Sequence, residues 1–130
     1  MKRAIVSLVF LSACAAVAQN VGTVVIYRPI DHRRGWKPIA FCDEQRIAEM
    51  QGGKYVTMNV SATTHAFTSS KSKSRVEVNV KPGERYFIRI NEPGELELVP
   101  AVQGREQTER LQPLEADKVS VVCRAPAAGQ

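Results

Sequence analysis

Histidine and cysteine are scarce in this chain: two histidines, His32 and His65, and three cysteines, Cys14, Cys42 and Cys123, stand among 130 residues. No close pair of them has the regular spacing of the common zinc motifs, and single ligands on four segments are a weak metal signal. No G-x-S-x-G elbow is present to expose a serine nucleophile, so a Ser-His-Asp or Cys-His arrangement would have to be assembled from distant residues. No catalytic, metal-binding or cofactor-binding residue is therefore assigned, and no cofactor is expected. Internal repeats and low-complexity tracts are lacking as well. Aromatic residues make up only 6% of the chain, with a single tryptophan, Trp36.

A strong charge of one sign is also missing. Lys and Arg number 18 against 13 acids, for a net +5. Two of the bases, Lys2 and Arg3, sit at the extreme N-terminus, so the remainder carries +3, with acids interleaved throughout residues 77–117. A nucleic-acid binder concentrates its bases on one stripe, with aromatics to stack on. Nucleic acid is excluded as a partner on that ground.

The one long apolar run, Ala4–Ala18, spans about fifteen residues, short of the roughly twenty that cross a bilayer. Preceded by Lys2-Arg3 and ending in small residues, it has the layout of a secretory signal, residues 1–18. Ala16-Val17-Ala18 suits cleavage before Gln19. Leu11-Ser12-Ala13-Cys14 also resembles a bacterial lipobox, in which Cys14 would be lipidated. That site leaves a very short signal, so cleavage at Gln19 is favoured and Cys14 stays as the alternative. The expected location is periplasmic or secreted, alternatively lipid-anchored, with the membrane reached only through Cys14.

Either site leaves Cys42 and Cys123 in the body of the domain, in an oxidising compartment where disulfides persist. Each ends an apolar, strand-like run. A bridge between them closes a loop of 82 residues, worth up to about 4.5 kcal/mol on the chain-entropy model. Two buried free thiols are the alternative.

The remainder, residues 19–124, reads as seven or eight short strands, with 125–130 a flexible tail. Thr23–Arg28 is β-branched and ends at Pro29. Pro38–Cys42 and Arg46–Met50 flank Asp43-Glu44-Gln45 as a tight hairpin. Lys54–Val60 alternates, with Val56, Met58 and Val60 on one face. His65–Thr68 and Arg75–Val80 follow. Lys81-Pro82-Gly83-Glu84 is a type II turn signal, which makes residues 75–91 a predicted hairpin. Glu95–Val99 alternates again. Residues 103–118 read as irregular, with a turn or two of helix over Glu106–Leu111, and Lys118–Cys123 as the last strand. The expected fold is all-β, a single antiparallel sandwich or small barrel.

The strand Val24–Tyr27 running into Tyr27-Arg28-Pro29, then Gly35, Asp43, Ile47-Ala48 and Gly53-Lys54-Tyr55, resembles an uncharacterised bacterial family, domain of unknown function 2846. Pro82-Gly83 followed by Tyr86-Phe87-Ile88-Arg89 fits the same pattern, over about residues 22–100. Ser61-Ala62-Thr63-Thr64 departs from it, because a Pro-Gly turn is expected before His65-Ala66-Phe67. The resemblance implies an exported or lipid-anchored β-domain with no established activity and no catalytic residues.

The most suggestive surface feature is the loop after Tyr27, where Arg28, Arg33, Arg34 and Lys37 surround Asp31 and Trp36. Trp and Arg are common interface anchors, so Arg28, Arg33, Arg34 and Trp36 form a candidate interaction surface. The competing reading has Trp36 covering one end of the sandwich. Lys71, Lys73 and Arg75, set among serines, read as a solvated connection. The sequence thus leads to a non-enzymatic envelope module that binds another envelope protein or an anionic envelope component. The alternative is a small periplasmic hydrolase or metal-dependent enzyme, which a convergent polar pocket around His32 or His65 would favour.

Overall fold

A computed structural model describes residues 20–31 and 35–124. The signal and lipidation sites, including Cys14, lie outside these residues, as do His32, Arg33, Arg34 and the tail from 125 onward.

The chain builds two facing sheets. One has five strands in the order β8-β7-β1-β4-β9, the other four in the order β3-β2-β5-β6. The strands are β1 (Val21–Arg28), β2 (Ile39–Cys42), β3 (Gln45–Glu49), β4 (Lys54–Ser61), β5 (Thr64–Ser69), β6 (Arg75–Asn79), β7 (Arg85–Asn91), β8 (Glu95–Val99) and β9 (Gln112–Pro113). Among the described residues one α-helix, α1, spans Ala101–Thr108, and a 3-10 turn spans Ala116–Lys118. The β-sandwich expected from the short alternating runs is therefore present.

The alternation in β4 behaves as read. Val56, Met58 and Val60 enter the core while Thr57 and Asn59 face solvent. Residues of both sheets meet there, including Val24, Ile26 and Ile88 from the five-stranded sheet and Ile47, Phe67 and Val78 from the other. Such interdigitated inner faces are what holds a two-layer β-fold together.

Three expectations need correction. Residues 75–91 are not a hairpin. β6 pairs with β5 in the smaller sheet, whereas β7 crosses to the larger sheet and lies parallel to β1, with Ile26 beside Ile88. The Pro82-Gly83 turn exists, with Gly83 at φ +76, but it is a corner between sheets. The reason lies in β1 and β7 themselves, each of which buries apolar residues on both faces. Val24 and Ile26 face the sandwich core, while Val25, Tyr27 and Phe87 form a second apolar cluster beneath α1. Strands buried on both sides belong at the centre of a sheet, so the sandwich is not wholly antiparallel.

Helix α1 starts at residue 101, upstream of the Glu106–Leu111 stretch read as helical. Its only buried residue is Gly104, so it lacks the apolar stripe by which amphipathic helices are recognised. A Cβ on Gly104 would stand 2.2 Å from Phe87 Cγ. The missing side chain is what lets the helix backbone lie on the sheet.

Residues 118–123 do not form a strand. Ser120 donates to the Ile47 carbonyl at 2.8 Å, and the Cys123 carbonyl accepts from Ser61 at 2.9 Å. One anchor belongs to each sheet, so the segment closes the seam between layers instead of extending a ladder. The Cys42–Cys123 disulfide fixes its end.

Candidate functional site

The loop after β1 is built around Arg28, which is only 2% exposed. Its Nε and Nη2 donate to the two carboxylate oxygens of Asp31 at 2.9 and 2.8 Å. Its Nη1 donates to the carbonyls of Trp36 and Met50 at 2.6 and 3.0 Å. The guanidinium carbon also lies 4.5 Å from the centroid of the Trp36 ring. A planar fork of donors can satisfy all of these acceptors, which an ammonium cannot. Arg28 is thus a buried staple of the loop, and its assignment to an interaction surface is corrected. Trp36 is half-buried and packs against the main core. It is partly exposed, as an interaction surface would require, but its ring also serves the staple. Arg33 and Arg34 lie outside the described residues. Lys71, Lys73 and Arg75 are exposed, with Arg75 paired to Glu77 at 3.1 Å.

A cleft of about 720 Å³ opens beside this loop, between the ends of β1 and β7 and helix α1. Pro29, Ile30 and Leu111 supply apolar wall, and Arg89, Asn91, Gln103, Gln107 and Arg110 supply polar groups. Ile30 is 74% exposed. The floor is fixed by a hydrogen-bonded chain. The Tyr27 hydroxyl donates to Gln107 Oε1, which also accepts from Arg89 Nη1 at 2.8 Å. Arg89 Nη2 and Asn91 Nδ2 both reach Glu97 Oε1, at 2.7 and 2.9 Å. Burial raises the Tyr27 phenol above its ordinary value against the opposing pull of Arg89. The Asn91 amide and the Arg89 guanidinium hold the Glu97 carboxyl low. These cleft residues were not read from the sequence, because α1 and β7 meet only in the folded chain. Ile30, beside the loop already singled out, was the only local signal.

A second cluster lies at the opposite pole of the sequence reading, around His65. The two-residue turn Asp43-Glu44 between β2 and β3 has both residues at positive φ, 49° and 69°, as a tight primed hairpin turn requires. It places Asp43 Oδ2 2.7 Å from His65 Nδ1, while Oδ1 accepts the Ala66 N–H at 2.9 Å. His65 Nε2 stands 2.9 Å from the Ser61 carbonyl oxygen and 3.1 Å from Ser61 Oγ. Burial alone would raise the Asp43 carboxyl, but the Ala66 N–H and the neighbouring imidazole outweigh it and hold the carboxyl below its ordinary 3.8. Cys123 Sγ lies 3.4 Å from Asp43 Oδ2.

Ser61, His65 and Asp43 thus converge in the order of a hydrolytic triad. The imidazole, however, is only 4% exposed. The Ser61 carbonyl can only accept, so its contact with Nε2 is a hydrogen bond when that nitrogen carries the proton. A general base needs the lone pair there instead. The sequence signals for this cluster were the four-residue step from Ser61 to His65 and the adjacency of Cys42 and Asp43. Neither reveals that three segments meet.

No protein-family model, no curated protein and no solved structure matches this chain.

Proposed function

We propose that this protein is an exported, non-enzymatic β-sandwich module of the bacterial cell envelope that binds a segment of another envelope protein in the cleft between β7 and α1. The cleft carries the reading. It combines an exposed apolar residue, Ile30, with amides and guanidiniums held in place by the Tyr27–Gln107–Arg89–Glu97 chain. Preorganised polar groups around an apolar wall are the usual make-up of a recognition site. Among the described lining residues, Arg89 and Arg110 are balanced by Glu106 and Glu109, which suits a polypeptide better than an anionic polymer. Among the described residues, no serine, cysteine or histidine lines it. The resemblance to domain of unknown function 2846 and the signal-like residues 1–18 support the envelope location.

A photo-crosslinking residue placed at Gln103, compared with one at the exposed Lys81, tests the reading in intact cells. The expected result is a defined protein adduct at position 103, diminished by Ile30→Asp and by Arg110→Glu. An adduct pattern equal at both positions, or unaffected by the two cleft variants, refutes it.

The alternative, a small periplasmic hydrolase, draws on the Ser61–His65–Asp43 convergence. A fluorophosphonate probe that labels Ser61 in the native chain would establish it over the binding module.

A further inference from the structure

We infer that Cys42, Asp43, His65 and Cys123 form a redox-gated site for a zinc-class divalent cation, closed while the disulfide stands and opened by its reduction. This site is separate from the cleft, and the inference does not depend on what the cleft binds.

One ligand atom from each of the four residues lies within 4.8 Å of all the others. A tetrahedral zinc with thiolate bonds of about 2.3 Å and nitrogen or oxygen bonds of about 2.0 Å needs ligand separations of about 3.3–3.8 Å. Reaching that range requires the two sulfurs to part by rotation about the Cys χ1 angles after cleavage of the S–S bond, and the exposed Asp43 carboxylate to draw back from its 2.7 Å contact with His65 Nδ1. Two thiolates, an imidazole and a carboxylate make a donor set suited to zinc, and their charges over-neutralise the dication by one.

The surroundings already satisfy what metal ligands ask of a second layer. A ligating histidine donates its free ring N–H to a carbonyl or carboxylate, and His65 Nε2 faces the Ser61 carbonyl at 2.9 Å. With the Nε2 proton engaged by that carbonyl, Nδ1, which donates to Asp43 Oδ2 at 2.7 Å, is the nitrogen available to the ion once its proton leaves. A ligating carboxylate is likewise steadied by hydrogen bonds, and Asp43 Oδ1 accepts the Ala66 N–H at 2.9 Å, which leaves Oδ2 for the ion. The ligands stand on paired strands: Cys42 ends β2, whose neighbour β5 carries His65. The side chain of Asp43 is 45% exposed and gives the ion an entry path.

The chemistry balances as follows. A dithiol reductant attacks the Cys42–Cys123 bond by thiol–disulfide exchange, leaving two cysteine thiols and its own disulfide. The cation then replaces both thiol protons and any proton on Nδ1, releasing them to solvent. The same two sulfurs serve either the covalent bond or the ion, never both.

Cobalt(II) titration of the full chain carrying Cys14→Ser, reduced with a phosphine, tests the inference. The phosphine becomes its oxide and does not compete as a thiol ligand. One equivalent of cobalt is expected to give thiolate-to-metal charge-transfer absorption and the intense visible bands of a tetrahedral site, both abolished by zinc. The oxidised chain should give neither. His65→Gln and Asp43→Asn should each weaken binding by about tenfold or more. If reduction unfolds the chain, zinc should restore its β-sheet circular dichroism, because binding and folding are then coupled. A reduced chain that shows no thiolate–cobalt absorption overturns the inference. So does absorption unchanged by both ligand variants, or an unfolded chain that zinc does not refold.

Discussion

Arg28→Met removes the centre of the loop staple and leaves its acceptors behind. The Asp31 carboxylate, 19% exposed, loses a two-point partner, and the carbonyls of Trp36 and Met50 lose their donor. Counting each charged hydrogen bond at about 1.5–3 kcal/mol would exceed much of the 5–15 kcal/mol that a whole domain possesses, so the contacts are not additive. Breaking one side of a buried ion pair costs about 3–5 kcal/mol, and that is the loss expected here. At about 4–8 °C per kcal/mol for a domain of this size, even 3 kcal/mol lowers Tm by roughly 12–24 °C. Arg28→Met with Asp31→Leu should recover part of the loss, because an apolar pair strands no charge. Trp36→Ala keeps the backbone acceptor and removes a half-buried ring, so about 2 kcal/mol is expected, below the 3–5 kcal/mol of a fully buried tryptophan. Urea unfolding followed by circular dichroism and by the lone tryptophan provides the measurement. Arg28→Met within about 1 kcal/mol of the parent, well below the cost of breaking a buried pair, would show that the staple does not hold the loop.

Gly104→Ala forces a methyl to 2.2 Å from Phe87; the expected cost is about 1–3 kcal/mol or more, read as a lowered urea midpoint, whereas an unchanged midpoint would mean that α1 does not rest on β7. Asp43 has a lowered carboxyl pKa in the folded chain, so it contributes stability above the ordinary value of 3.8 that is lost as pH falls from there through the folded pKa. Asp43→Asn should flatten that acid limb of the stability–pH curve, and a curve that keeps its slope counts against the pairing with His65. Replacing both Cys42 and Cys123 by Ser should destabilise the domain by about 2–5 kcal/mol, and denaturation without reductant should expose no thiol from either residue to a maleimide. The proposed export predicts an N-terminus at Gln19 by mass spectrometry of the protein recovered from cells, and a diacylglycerol adduct on Cys14 would replace that assignment.

Local chemistry made much of the fold legible. Period-two alternation placed β4 on its correct face, Pro29 marked the end of β1, and Asp43-Glu44 announced a hairpin. In each case the decisive interactions lie within a few residues. The two cysteines at the ends of apolar runs likewise pointed to their own bridge. The partner of β7, by contrast, was decided by tertiary structure. A Pro-Gly turn fits a hairpin and a corner equally well, and only two-sided burial of Phe87, Ile88 and their neighbours sends that strand to β1. Helix α1 was invisible because it is held by a glycine, an absence of side chain that no apolar pattern records. Arg28 looked like a surface base because sequence shows charge but not the carbonyls and carboxylate that gather around it. Asp43, Ser61, His65 and the disulfide stand on segments separated by up to 81 positions, and only the closing of the seam between the two sheets brings them within bonding distance of one another.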